Sequence, residues 1–429
     1  MKADVEAALD LDRVRAAFPA LQRTCGGAPC IFADAPGGTQ VPSTVIDAIS
    51  RYLGERDANS GGPFVTSEET DETIAAARRA AADLIGCDAG EVVFGPNMTS
   101  LAFALSRALA RDLRAGDEVV VTTLDHDANI APWVAAATDA GATVRWVDVR
   151  TDDCTLDLDG LDAVLSPRTR IVAYTLASNA VGTVTAAHEI VQRARTTDAI
   201  VIADAVHLAP HRSIDARSLG ADVLFCSPYK FFGPHLGVMS ARKELLDGWR
   251  PYKVRPSLDE SPDRWETGTK NHEALAGLVA TVDYIAGLSE PGAARAGRQA
   301  ALASGMEAVR RAEATLSQRF LDGIGALSDV RLYGIADAAR LDERTPTFAL
   351  RLGDLHPRVL AEQLGARGIF TWDGNYYALA IMQRLGLEDS GGAVRIGFCH
   401  YNSIAEVDRV IGELERLSQR PAAPPPTRS

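Results

Sequence analysis

Short apolar runs recur along the first half of the chain, each followed by a stretch with helical spacing. The runs are Val92-Val93-Phe94, Glu118–Val121, Thr143–Trp146, Ile171–Tyr174, Ile200–Ala203 and Val223–Cys226. Segments such as Thr99–Leu113, Ala131–Ala140 and Ala187–Thr197 fall between them with apolar residues at helical intervals. Continuous apolar runs alternating with amphipathic helices predict a mainly parallel, helix-covered sheet. Upstream, an amphipathic helix to about Phe18 opens an N-terminal arm over 1–30. Ile31-Phe32 then reads as a short strand breaking into the turn Ala33–Gly38, and Ser43 as the N-cap of a helix to about Leu53. Asn59–Pro63 reads as a loop and Asp71–Ile85 as a helix.

After about Leu288 the pattern changes. A long charged helix over 292–324 precedes a strand at Thr345–Arg351, a helix at His356–Leu364, a strand at Ala393–Phe398 and an amphipathic helix at Ile404–Leu417. These predict a smaller α+β domain over 289–420 beside a large α/β domain over 31–288, with a Pro-rich, disordered tail at 421–429.

A chain of 429 residues is long enough for two such domains. Its net charge of −13 disfavours nucleic acid and anionic membrane as partners. No apolar run reaches the roughly 18 residues of a membrane span, and the first residues lack a signal-peptide core. Six scattered cysteines without metal-ligand spacing suit free thiols in a reducing, cytoplasmic setting.

Chemistry concentrates at predicted strand ends. Asp204 ends one run and Lys230 follows the next, so in an open α/β sheet both lie at the ligand-binding edge. A lysine and a carboxylate facing one pocket suit pyridoxal 5'-phosphate (PLP), the lysine as Schiff-base former and the carboxylate as partner of the pyridine nitrogen. A salt bridge between two strand ends is the other reading of the pair. Gly95–Thr99 follows a strand and opens a helix, offering N–H groups of Asn97 and Met98 to a phosphate, or forming an ordinary turn. His126, in Asp125–Asn129, suits stacking or proton transfer, or pairing with its aspartate neighbours. Asn179 suits a hydrogen bond to a cofactor oxygen, or simply a turn before Gly182. Arg395 suits a carboxylate clamp, or a surface position. Neither GxxxxGK[ST] nor GxGxxG occurs, which leaves a nicotinamide enzyme without its fingerprint.

These motifs together resemble the fold-type I PLP enzymes of aminotransferase class V, in particular the cysteine desulfurases. The resemblance rests on DHDANIAPW at 125–133, SNAVG at 178–182, DAVHLAPH at 204–211, SPYKFFGPHLG at 227–237, WETGTKNHEALAG at 265–277 and VRIGFCHYN at 394–402. It implies Lys230 as the Schiff-base lysine, Asp204 at the pyridine nitrogen, His126 stacked on the ring and Asn179 at its hydroxyl oxygen. It further implies Ser227 with Asn97 and Met98 at the phosphate, Thr269 at the phosphate of a neighbouring subunit in a homodimer with shared active sites, and Arg395 on the α-carboxylate of an amino acid or amine substrate.

The chain also departs from that pattern. His207 stands where desulfurases carry a glutamine over the cofactor oxygen, and Tyr229 replaces a histidine before the lysine, its hydroxyl still able to reach the phosphate; the resemblance implies both at the cofactor. In Gly368–Ala378, Trp372 and Tyr377 fall where a desulfurase loop has an arginine and its nucleophilic cysteine; no cysteine lies between Cys226 and Cys399. Persulfide chemistry needs a mobile, low-pKa thiolate. The expectation is therefore a PLP enzyme working at Cα or Cβ, by transamination or C–S/β-elimination, with Trp372, Asp373, Asn375 and Tyr377 on the substrate side. The alternatives are a true desulfurase using another thiol, an isopenicillin N epimerase-like racemase, and a non-catalytic PLP-fold binding protein.

Overall fold

A computed structural model describes residues 9–290 and 292–419. The start of the expected opening helix and the tail at 421–429 lie outside the described residues; within them the arm carries a one-and-a-half-turn helix, Leu11–Ala16, capped by the Asp10 side chain.

Seven strands form the main sheet: β1 (Val92–Gly95), β2 (Glu118–Thr122), β3 (Thr143–Val147), β4 (Thr169–Thr175), β5 (Ile200–Asp204), β6 (Val223–Cys226) and β7 (Gly237–Ala241). Their order is β1-β7-β6-β5-β4-β2-β3. Pairing is parallel from β6 across to β3, while β7 runs antiparallel to both β1 and β6. The period-2 geometry of a strand explains why the runs are apolar throughout. Val119, Val121, Ile202, Val223 and Phe225 enter the core on one face; Val120, Val201, Ala203, Leu224 and Cys226 enter the core on the other. The expected strands all form. β7 went unread, since Gly237–Ala241 lacks a continuous apolar run and directly follows the Lys230 motif.

Helices cover the sheet: α1 (Val65–Ile85), α2 (Met98–Leu109) and α3 (His272–Ala286) among them. α1 begins before the expected Asp71, at Val65, and its first turn hydrogen-bonds the 59–62 loop through Ser67 and Asp71. Ser43 is the first helical residue rather than the N-cap: Pro42 holds the cap position and no side chain caps that end.

The C-terminal lobe has the long helix α4 (Arg298–Gly325), strands β8 (Val330–Tyr333), β9 (Thr347–Leu352), β10 (Trp372–Gly374) and β11 (Ala393–Gly397), and helix α5 (Ile404–Ser418). The antiparallel order is β8-β9-β11-β10, over a core in which the Phe320 ring lies 4.5 Å from Phe348 and 5.4 Å from Phe398. Ile31-Phe32, expected in the large domain, pairs in parallel with Ile369-Phe370, and Asp34 bridges to Gly397. Residues 31–34 thus lend a strand to the C-terminal lobe, and we retain the division near Leu288 as a proposal with that exception.

Gly237 opens β7 directly against the start of α2: a Cβ there would lie 2.3 Å from the Asn97 carbonyl carbon and 2.8 Å from the Met98 nitrogen. Gly237→Ala is expected to lower stability by roughly 1–3 kcal/mol, as overpacking does, and to weaken cofactor uptake by displacing the 97–98 backbone. Chemical unfolding and PLP titration of the variant check this.

Candidate active site

The carboxyl ends of β4, β5 and β6 meet the C-terminal lobe at a cleft of about 1010 Å³. Nine of the expected site residues line it: His126, Asn179, Tyr229, Lys230, Trp372, Asp373, Asn375, Tyr377 and Arg395. Lys230 closes a 3₁₀ turn, Pro228–Lys230, one residue past the end of β6 and Ser227. Its Nζ donates to the Pro36 carbonyl and sits 4.9 Å from the Tyr229 ring centre. Loss of water around the amine, reinforced by the Arg395 charge and opposed by Asp204, brings its pKa down to about 7. Near neutrality a large share of the amine is uncharged and nucleophilic.

Asp204 ends β5 in register with Phe225 of β6, so it shares the strand edge that carries Lys230, as its position in the sequence implies. The Val206 N–H donates to its carboxylate at 2.8 Å, while burial raises its pKa to about 6. Arg395, on β11, is buried; its Nη1 donates to the Asn179 carbonyl at 2.8 Å and its guanidinium lies 4.4 Å from the Tyr376 ring centre.

His126 accepts the Ala128 N–H at 3.0 Å through Nδ1, so in the neutral ring the proton is on Nε2. Burial, then the Lys230 and Arg395 charges, hold its pKa down at about 4, keeping it neutral. Its ring stacks on Tyr377, with 5.7 Å between centres and 21° between planes. The motif's buried members brace it: Asp125 accepts from Thr122 and, at 2.7 Å, from Asn129, which in turn accepts from Trp133.

The other expected residues fall elsewhere. Asn97 caps α2, its carboxamide oxygen accepting the Ser100 N–H at 2.8 Å; neither it nor Met98 lines the cleft, but Thr99 does. The Met98 and Thr99 N–H groups open the helix and have no intrahelical acceptor. Ser227 is buried at the end of β6. Thr269 is exposed and lines a separate cavity of about 500 Å³ with Gly95, Ser100, His235 and Lys270. His207 departs from expectation. Its Nε2 is held by Thr345 and Thr347 of the C-terminal lobe at 3.2 and 3.1 Å, and it does not line the cleft, because the β5 exit turns this ring towards β9.

Sequence reasoning missed the backbone of the substrate side. Tyr376 and Tyr377 both have left-handed backbones, with φ of 54° and 58°. Asn179 Nδ2 donates to the Tyr376 carbonyl at 3.0 Å, Asp127 N–H donates to the Tyr377 carbonyl at 2.7 Å, and the Tyr376 hydroxyl donates to the Ala393 carbonyl. Asn375 donates to Glu388 at 3.0 Å and accepts the Tyr377 N–H at 3.1 Å. Asp34 was missed as well: it is half-buried, one oxygen has no partner, and burial raises its pKa to about 6 opposite Arg395. The only signal for these positions was the Gly-Asn-Tyr-Tyr string and the Asp before Ala-Pro-Gly-Gly.

PLP fits these residues on the chemistry of its donors. Buried Asn179 Oδ1 and Arg395 Nε have no hydrogen-bond partner among the described residues, as groups awaiting a ligand would. A lysine poised near neutrality, a buried carboxylate on the adjacent strand and free N–H groups at the start of α2 supply an amine, a pyridinium partner and a phosphate seat.

Fold and site therefore define a PLP-dependent enzyme of fold-type I. The aminotransferase class-V family model matches residues 31–410, and the chain belongs to that family. A probable cysteine desulfurase 2 of Mycobacterium leprae is 31% identical, covering 95% of this chain and 96% of the relative. An apo cysteine desulfurase from Thermococcus onnurineus NA1 superposes with a TM-score of 0.82 at 27% identity, covering 97% of this chain and 98% of that one. A C-DES variant with glycine covalently linked to its PLP cofactor shares the fold at a TM-score of 0.77 and 20% identity, over 94% and 98% of the two chains.

Because the Lys230 amine loses its proton near pH 7, the rate of PLP uptake by the apoprotein is expected to rise through that pH. Arg395→Gln removes a charge that disfavours the ammonium, so the curve moves to higher pH; Asp204→Asn removes one that favours it, so the curve moves lower. Stopped-flow absorbance across pH 5.5–9 reads both shifts, to be sought on the order of one unit.

Proposed function

We propose that the protein is a PLP enzyme acting at Cα or Cβ of an amino acid or amine, by transamination or β-eliminating (C–S lyase) chemistry, without a protein persulfide. The observation that carries the reading is the wall where a desulfurase has its nucleophile. Here it is the Trp372–Tyr377 segment, and the cleft lining contains no cysteine among the described residues.

The thiols elsewhere are poorly placed for the task. Cys399 is fully buried and burial lifts its pKa well above the ordinary thiol range; Cys87 and Cys154 are pushed up to about 12 and about 11. Cys25 is exposed, but lies on the two-residue strand Thr24–Cys25, outside the cleft lining. A thiol that stays protonated is a weak nucleophile.

When bound, PLP supplies the electron sink for the bond broken at Cα. The Lys230 amine holds it and, once released, takes the Cα proton at Nζ, which a pKa near 7 suits for general-base work. Asp204 keeps the pyridine nitrogen protonated. Arg395 offers its unpartnered Nε edge to the substrate carboxylate, while Nη1 stays on Asn179. Neutral His126 presents a ring face and an Nε2–H. Tyr229, Ser227 and the amides of Asn97 and Met98 serve the phosphate, with Thr269 reaching that of a second copy in a homodimer. His207, held by two threonines, joins the lobes instead of touching the cofactor. A cytoplasmic setting remains part of the proposal; among the described residues no helix is long and apolar enough to cross a membrane.

Lys230→Ala is expected to abolish the cofactor's visible band and turnover, by at least about 10³-fold for loss of the base. Cys399→Ser is expected to leave release of sulfide, pyruvate or keto acid from an amino-acid panel within about twofold of wild type. Robust persulfide transfer to an acceptor protein or thiol that survives Cys399→Ser would contradict the reading.

A further inference from the structure

Once Lys230 and Arg395 are assigned to the cofactor and the α-carboxylate, the charges left in the cleft do not balance. The remaining cation, Arg358, is engaged by Asp373 at 3.1 Å. The carboxylates of Asp127 and Glu388 also line the cleft, and among the described residues neither meets a cationic side chain; Glu388 is held only by the Asn375 amide, at 3.0 and 3.2 Å. Both acids are tied to the same aromatic residue. Asp127 N–H donates to the Tyr377 carbonyl, and Tyr377 N–H donates to Asn375, whose amide holds Glu388. Tyr377, 74% exposed, lines the cleft with its ring stacked on His126, and Trp372, 52% exposed, lines the same cleft. Trp372 lies directly across from Arg395 on adjacent strands, so the two side chains leave the sheet on one face.

We infer that the cleft selects an amino acid whose side chain ends in a cation, an ammonium or guanidinium, held between the Tyr377 ring and the carboxylates of Asp127 and Glu388 while Arg395 takes the α-carboxylate. The inference rests on the reading under Proposed function and names its substrate class. Aromatic faces and carboxylates together form the environment that stabilises a desolvated cation. Arg395 Nε and Asn179 Oδ1, both buried and without a hydrogen-bond partner among the described residues, mark the end of the same cleft that takes the α-carboxylate and the cofactor. An acidic side chain would meet two carboxylates of its own sign. At about 1010 Å³ the cleft stands at the upper end of pockets for small molecules, roughly 300–1,000 Å³, which leaves room for a long side chain beyond the cofactor.

The test titrates the PLP-loaded protein with L-lysine, its uncharged counterpart L-norleucine, and L-glutamate, following cofactor absorbance. Calorimetry on borohydride-reduced protein, with the cofactor fixed to Lys230 and no turnover possible, gives a second, non-catalytic readout. L-lysine is expected to bind at least about tenfold more tightly than L-norleucine, a contrast of about 1.4 kcal/mol, with L-glutamate weaker still. The Asp127→Asn/Glu388→Gln double variant is expected to lose the contrast and keep its L-norleucine affinity. L-norleucine or L-glutamate matching L-lysine, or a contrast that persists in the double variant, overturns the inference alone. A protein that takes up no PLP overturns the functional reading and this inference with it.

Discussion

Withdrawal of water from three charges, two at the edge of the main sheet and one on β11 of the C-terminal lobe, is the constraint on which the site depends. Lys230, Asp204 and Arg395 are each moved towards their neutral forms by burial, to about 7, about 6 and about 10. The lysine feels both of the others: Arg395 opposes its charge, and Asp204 favours it. Moving a charge into low dielectric is tolerated only where partners are fixed in advance. The fixing is done by backbone, through the Val206 N–H on Asp204, the Pro36 carbonyl on Lys230 and the Asn179 carbonyl on Arg395. The Val206 and Asn179 groups lie in the loops leaving β5 and β4, strands buried on both faces, and Pro36 sits in the 3₁₀ turn Ala35–Gly37.

The groups belong to two lobes, so their geometry depends on the joint between them. Hydrogen bonds that cross it include Arg395 to Asn179, Asn179 to Tyr376 and Asp127 to Tyr377 at the cleft, and His207 to Thr345 and Thr347 beside it. Arg344 supports the same joint. It is buried, donates to the carbonyls of Ile335, Thr345 and Thr347, and packs 4.1 Å from the Phe348 ring centre. A histidine at 207 makes sense in this light, since a ring with one nitrogen between two threonine hydroxyls ties β5's exit loop to β9.

Most of the large lobe was legible because its strands announce themselves twice, by apolar runs and by the chemistry at their ends. Asp204 and Lys230 could be placed on one edge from strand order alone, and the sheet does so. What stayed hidden needed information that local sequence does not hold. β7, Gly-Val-Met-Ser-Ala, has no continuous apolar run, and its pairing with β1 and β6 is set by the sheet, not by its own pattern. The Gly95–Thr99 stretch reads as a phosphate seat or an ordinary turn, and the fold uses the Asn97 carboxamide as a helix cap. His207 lies three residues past a cofactor carboxylate, yet its partners come from residues 345 and 347, about 140 positions away. The left-handed backbones of Tyr376 and Tyr377 are invisible to propensity, because aromatic residues seldom adopt them.

Those two backbones matter to the chemistry. A left-handed non-glycine residue is strained by about 1–3 kcal/mol, and such strain persists only where surroundings over-determine it. Here the carbonyls of both tyrosines accept hydrogen bonds from the cofactor side, the Tyr376 hydroxyl bonds β11, and Asn375 bonds both Tyr377 N–H and Glu388. A sulfur-transfer nucleophile has to travel between substrate and acceptor, which calls for a loop with few such bonds. This segment is bound at every residue from Asn375 to Tyr377, and its side chains are aromatic and amide groups that bind but do not attack. The loop has the physical character of a wall, and it lines the same cleft as Lys230.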